Sequence, residues 1–182
     1  MKIATILGAR PQFIKAAPVS EKISKCSSLS EIIIHTGQHY DSLMSDTFFD
    51  QLGIRSPDIN LNVGSGSQAQ QTGSIMLKYE ELLQVEKSDL CIVVGDVNST
   101  LACSITAKKM GMPIAHIEAG IRSGDMSMPE EINRIVTDSI TDYFFTTTEE
   151  ASCTLEKLGV ETNRIFFVGN IMIDTLLSNI NR

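Results

Sequence analysis

Three carboxylates and two cations stand where a folded chain could bring them to one place. Asp96 follows the apolar run 90–94, Glu118 follows the run 113–117, and Glu130 opens a helical pattern after Pro129. Arg10 and Lys15 follow the first apolar run, 2–7, with Lys15 about one helical turn beyond Pro11. Carboxylates can take and return protons at a reacting carbon, and cations can stabilise a departing anion. Each residue also has a plainer use. Asp96, in the segment GDVNST, suits the N-cap of the next helix. Glu130 and Glu131 suit the positive end of a helix dipole, and Arg10 and Lys15 could be surface cations on a first helix. Glu118 is hardest to explain structurally, because a carboxylate leaving an apolar strand needs a partner or a solvated cleft. His116, two residues earlier, reads as a packed, hydrogen-bonded histidine.

The elements that must carry these side chains alternate. Short apolar runs at 2–7, 31–34, 90–94, 113–117, 143–146 and 165–168 read as strands, and most are continuously hydrophobic. Strands buried on both faces have that composition. Helical patterns fall at 11–25, 42–52, 67–85, 98–110, 129–140, 149–158 and 171–181. The alternation predicts an α/β fold with a doubly wound, mostly parallel, Rossmann-like sheet. Ligands in such sheets collect at the carboxyl ends of the strands, where Asp96, Glu118 and the Arg10–Lys15 segment all lie. Gly8 to Pro11 has neither GxGxxG nor GxxxxGK[ST], so a dinucleotide fingerprint and a P-loop are both excluded. Pro11 near the start of a helix, with two cations close by, still makes a reasonable anion site.

Composition narrows the function classes. The chain has 182 residues, 42% of them hydrophobic, which suffices for one substantial core. A net charge of -7 argues against a nucleic-acid partner, since such binding is driven by neutralising phosphates with Lys and Arg. Cys26, Cys91, Cys103 and Cys153 are widely spaced and form no CxxC pair, so neither a metal site nor a disulfide framework is expected. Residues 1–7 break at Gly8, too short for a signal peptide or a membrane span. A cytoplasmic protein with no membrane association is the expectation.

Taken in order, the segments GARPQFIK, HTGQHYD, VVGDVNSTLA, HIEAGIRSGD, MPEEINR and VGNIMID resemble the motif series of the non-hydrolysing UDP-N-acetylglucosamine 2-epimerases. The resemblance runs along the whole chain. It implies the N-terminal half of a GT-B-like, two-domain architecture, with residues 1–170 as the N-terminal domain, 171–182 as a hinge or terminal helix, and the C-terminal domain absent. The implied reaction is interconversion of UDP-N-acetylglucosamine and UDP-N-acetylmannosamine, an isomerase activity that supplies precursors for surface polysaccharide. UDP is eliminated to leave a 2-acetamidoglucal and is then added back, with no metal and no cofactor.

Carried over by position, Asp96, Glu118 and Glu130 match the family's catalytic acids, and Arg10, Lys15 and Arg122 match its substrate-binding residues. Gln38 and His39 match a segment where some relatives bind a second nucleotide sugar as an allosteric activator. Ala9 replaces the Thr of the GTRP found in many relatives. The family's second half supplies the uridine pocket, so the chain alone is expected to be inactive. The implied partners are UDP-N-acetylglucosamine, a complementing C-terminal half and a second copy in a homodimer. Two other readings stay open. One is a non-catalytic nucleotide-sugar-binding or interaction remnant, and the other is half of a GT-B glycosyltransferase.

Overall fold

The computed structural model describes residues 1–37, 49 and 55–180. Seven parallel strands form one sheet: β1 (Lys2–Leu7), β2 (Ser30–His35), β3 (Ile59–Asn60), β4 (Leu90–Val94), β5 (Ile114–Ile117), β6 (Tyr143–Thr146) and β7 (Ile165–Phe167). Their order is β3-β2-β1-β4-β5-β6-β7. Among the described residues six α-helices accompany them: α1 (Arg10–Ser24), α2 (Gln68–Val85), α3 (Asn98–Lys109), α4 (Pro129–Ile140), α5 (Glu149–Lys157) and α6 (Ile171–Asn179). The expected α/β sheet is therefore present, and it is wholly parallel. The strand the sequence did not announce is β3, which is two residues long and pairs Ile59 with Ile34 and Asn60 with His35. The helical pattern expected at 42–52 lies outside the described residues, apart from Phe49.

The continuous apolar runs are explained by a core on each face. Ala4, Ile6, Ile34, Cys91 and Val93 meet Ile75 and Tyr79 of α2 and Ala102 and Cys103 of α3 on one side. Ile3, Leu7, Ile33, Ile92 and Val94 meet Phe13 and Ala16 of α1 on the other. Successive strand residues thus point to opposite faces and are buried on both. The buried stripe of α2 is Gln71, Ile75, Tyr79 and Leu83, a spacing of four that keeps one helix face on the sheet. Its start is fixed by a capping box in which Ser67 Oγ accepts from Gln70 N at 3.3 Å and Gln70 Oε1 accepts from Ser67 N at 3.2 Å. Helix α3 buries mostly small residues, among them Ser99, Ala102, Cys103, Ser104 and Ala107, which lets it sit closely between α2 and α4. Helix α6 packs on α1, where the Thr175 hydroxyl donates to the Ile14 carbonyl at 2.7 Å.

The order reverses between β1 and β4. From β1 the chain winds outward to β2 and β3, then returns to β4 and winds the other way. The carboxyl ends of β1 and β4 therefore flank a crevice left by connections that depart in opposite directions.

Candidate active site

The crevice is closed at its base by a residue the sequence did not single out. Gln12, on the first turn of α1, is buried, and its side-chain oxygen accepts from the amides of Gly8 at 2.5 Å and Ala9 at 3.0 Å. Its amide nitrogen donates to the Val94 carbonyl at the end of β4 and to Thr100 Oγ1 of α3. One side chain thus ties β1, β4 and both following helices together at the switch point. Gly8 permits this approach, since a Cβ there would lie 2.0 Å from Ser99 Oγ and 2.9 Å from Thr36 Oγ1.

Above that base stand Lys15 and Glu118. The Lys15 ammonium is 2.5 Å from Glu118 Oε2, and the two side chains are only 17% and 13% exposed. The carboxylate leaving an apolar strand is thus paired by the cation from the first helix. Glu118 holds a left-handed backbone conformation, φ 69°, which is costly for a residue with a side chain. Its amide and that of Ala119 both donate to the Phe145 carbonyl, at 3.0 and 3.2 Å. Gly95, the residue before Asp96, also has positive φ, at 65°. A Cβ on Gly95 would lie 3.4 Å from Glu118 Oε2 and 3.8 Å from Lys15 Nζ, so this pair sits directly against the turn that carries Asp96.

Asp96 is not the N-cap of α3, a place taken by Val97. Its Oδ2 instead accepts from Arg134 of α4, from Nε at 2.8 Å and from Nη2 at 2.5 Å. Asn133 of α4 donates to the Asp96 carbonyl at 2.8 Å. The remaining Arg134 nitrogen, Nη1, donates at 2.9 Å to Glu131, which is buried. Burial alone would push the Glu131 carboxyl up. Hydrogen bonds from the amides of Ser123 and Gly124, from Arg134 and from the Ser123 hydroxyl outweigh it and hold the carboxyl down at about 2. Glu131 therefore clamps the loop after β5 onto α4. Arg134 lies between Asp96 and Glu131, and their negative charge and hydrogen bonds raise its already high pKa against the effect of burial.

Glu130 differs from its neighbour. Among the described residues no hydrogen bond or ion pair engages it, and it lines a polar pocket of about 270 Å³ with Ser65, Gln68, Gln71, Asn98 and Asn133. The amides in this pocket satisfy one another: Asn98 donates to Gln68 at 2.6 Å and to Gln71 at 2.8 Å. Of the two glutamates, one is consumed by structure and the other is available.

Arg122 points its Nη1 at Asp138 Oδ2, 2.6 Å away, and at its neighbour's carbonyl. Arg10 is exposed at the start of α1. Gln38 and His39 lie outside the described residues. Asp96, Glu118 and Lys15 are thus gathered around Gly95, and Glu130 borders the same region through Asn133 and Asn98. Sequence reasoning passed over Gln12, Asn133, Arg134 and Asp138. Arg134 had a signal, standing four residues after Glu130 within a run that holds two acids.

A family model described as UDP-N-acetylglucosamine 2-epimerase matches residues 21–182. The chain is 54% identical to a UDP-N-acetylglucosamine 2-epimerase homolog of Methanococcus maripaludis, over 98% of this chain and 49% of that protein. It is 50% identical to the UDP-2,3-diacetamido-2,3-dideoxy-D-glucuronate 2-epimerase of Pseudomonas aeruginosa, over 97% of this chain and 51% of that protein. Among solved structures, the UDP-GlcNAc 2-epimerase of Methanocaldococcus jannaschii in complex with UDP-GlcNAc and UDP superposes with a TM-score of 0.95 at 44% identity, covering 100% of this chain and 50% of that one. The chain spans about half the length of the curated relatives it matches.

Proposed function

Because the chain belongs to the UDP-N-acetylglucosamine 2-epimerase family, we propose that it is the N-terminal half of a non-hydrolysing 2-epimerase acting on UDP-N-acetylglucosamine. The observation that carries this reading is the Lys15–Glu118 pair set against the Asp96 turn at the switch point of the sheet. Epimerisation at C2 requires a proton to leave one face of the sugar and another to arrive on the opposite face. One carboxylate of the trio Asp96, Glu118 and Glu130 takes the C2 proton, the C–H electrons form the C1=C2 bond, and the C1–O bond to UDP breaks. UDP then adds back to C1 as a second carboxylate delivers a proton to C2 from the other side. Proton removal becomes feasible when C1–O cleavage runs ahead and acidifies C2–H. The cations Lys15, Arg10 and Arg122 then matter as much as the base, because they stabilise the departing diphosphate.

On this reading residues 1–170 are the N-terminal domain, the segment 171–182 is the hinge, and a C-terminal half closes the crevice and completes the nucleotide pocket. The apolar side chains of Phe167, Val168, Ile173, Leu176 and Leu177 stand exposed from β7 into α6, a surface a second half would cover. Among the described residues no helix is long and apolar enough to cross a membrane. We place the enzyme in the cytoplasm, as a homodimer, feeding surface-polysaccharide synthesis. We also place an activating nucleotide sugar at Gln38 and His39. The 50% identity to the Pseudomonas aeruginosa enzyme supports a second candidate substrate, a UDP-2,3-diacetamido uronate with the same C2 chemistry.

The test is C2 deuterium incorporation in deuterated water, followed by NMR. The chain is assayed alone and with a separately expressed C-terminal half of a full-length relative, on each of the two sugars. Exchange that appears only with both halves supports the proposal, and the faster sugar names the substrate. Exchange by the lone chain would refute the need for a second half. Silence under every condition would favour a non-catalytic remnant.

A further inference from the structure

His116 is fully buried on β5, and neither its ring nor its partner Asp138 has a part in the chemistry above. Its Nε2 lies 2.8 Å from the Gly95 carbonyl and its Nδ1 lies 2.7 Å from Asp138 Oδ1. A carbonyl has no proton to give, so Nε2 carries the hydrogen in that bond, and a second proton lies between Nδ1 and the carboxylate. The other Asp138 oxygen accepts from the Gly120 amide at 3.1 Å and from Arg122 at 2.6 Å. Burial would push the Asp138 carboxyl up, but its hydrogen bond to His116 and the charges of His116 and Arg122 hold it below the usual carboxylate range.

This chain of bonds joins the two turns that carry candidate acids. Gly95 precedes Asp96 and needs positive φ. Gly120 ends the left-handed turn begun at Glu118, and its own φ is 80°. Asp138 belongs to α4, which also supplies Glu130 and the Arg134 that holds Asp96. Glycine adopts these angles freely, but the left-handed Glu118 is costly and persists only where the surroundings hold it. We propose that His116 and Asp138 are positioning residues, which set the Asp96 turn against the Glu118 turn through the Gly95 carbonyl and the Gly120 amide. The proposal rests on the epimerase reading for its catalytic consequence and on the geometry alone for its structural one.

Near-isosteric variants separate the bonds. Gln at 116 can keep the donor to Gly95, whereas Asn at 116 can keep only the contact to Asp138. Asn at 138 can donate to Nδ1 and still accept from Gly120 and Arg122. In the two-half enzyme, His116→Asn should lower kcat about 100-fold with KM little changed, the effect of a misplacement near 1 Å. His116→Gln and Asp138→Asn should keep kcat within about tenfold of the parent, each retaining the Gly95 bond. Asp138→Asn should also leave the pH–rate profile unchanged. An unimpaired His116→Asn, a loss confined to KM, a His116→Gln as poor as His116→Asn, or a limb of the pH profile lost in Asp138→Asn would each overturn the proposal. If the parent enzyme is silent, the epimerase reading fails and amide hydrogen exchange on the lone chain decides the positioning claim. The Gly95 amide should then exchange about tenfold faster in His116→Asn than in the parent, and an unchanged rate would refute it.

Discussion

Replacing Glu131 by Gln removes one charge from a site that uses it four times. The carboxylate accepts from Ser123 N, Ser123 Oγ and Arg134 at one oxygen and from Gly124 N at the other. Charge-assisted bonds contribute about 1.5–3 kcal/mol each and neutral ones about 0.5–1.5, so the three bonds that the glutamine oxygen can keep weaken by about 3 kcal/mol together, and the Gly124 amide, left facing an NH2 group, loses its acceptor at about 1–3 kcal/mol more. For a chain of this size each kcal/mol moves the melting temperature by about 2–4 °C, so a loss of about 4–6 kcal/mol should make Glu131→Gln melt about 8–24 °C lower at pH 7. The folded carboxyl titrates at about 2, against an ordinary value of 4.5. Between those two pH values the unfolded chain binds a proton that the folded chain refuses. Falling pH therefore favours unfolding, by up to about 1.4 kcal/mol per pH unit for this group. The stabilisation is complete above about pH 4.5 and is gone once pH drops through the folded value. The melting gap between parent and Glu131→Gln should be constant from pH 7 to pH 5 and then narrow steadily toward pH 3. Differential scanning calorimetry across that range is the assay. A gap below 2 °C at pH 7, or one that does not narrow in acid, would refute the clamp.

Two further substitutions separate fold from chemistry. Gly120→Ala would put a Cβ 2.4 Å from the Ala151 carbonyl oxygen at a residue with φ 80°. The left-handed penalty of about 1–2 kcal/mol and the displacement of packed backbone, about 1–3 kcal/mol, should lower the urea midpoint by the equivalent of about 2–5 kcal/mol. An unmoved midpoint would show that the turn accepts a side chain. Glu130→Gln touches no partner among the described residues and should leave stability within about 0.5 kcal/mol of the parent. In the two-half enzyme the same variant should cut C2 deuterium exchange at least about 100-fold, and retained exchange would remove Glu130 from the trio.

Much of the fold was legible because its strands are buried on both faces. Along Ile3–Leu7 only Thr5 is polar, and Leu90–Val94 has no polar break at all. Helix α2 was legible from Ser67 and Gln70 at its start and from its stripe at a spacing of four. β3 was not, because two residues carry no periodicity and their pairing is decided by β2, which lies 25 residues earlier in the register of Ile34 with Ile59.

The candidate site divides along the same line. Residue types and strand-end positions pointed to Asp96, Glu118 and Lys15, and burial physics demanded a partner or a solvated cleft for Glu118. What the sequence could not supply was the pairing itself. Lys15 and Glu118 are 103 positions apart, Asp96 and Arg134 are 38 apart, and His116 and Asp138 are 22 apart. Each pair becomes visible only once parallel crossovers have carried α1, β4, β5 and α4 to the same edge. The two adjacent glutamates make the point most sharply. Glu130 and Glu131 have the same chemistry and neighbouring positions in one helical turn, yet a rotation of about 100° per residue sends one into the body of the protein and the other into a polar pocket. Which of the two is free to move a proton is therefore set by the placement of Ser123, Gly124 and Arg134 around Glu131, and no local pattern in the sequence encodes that.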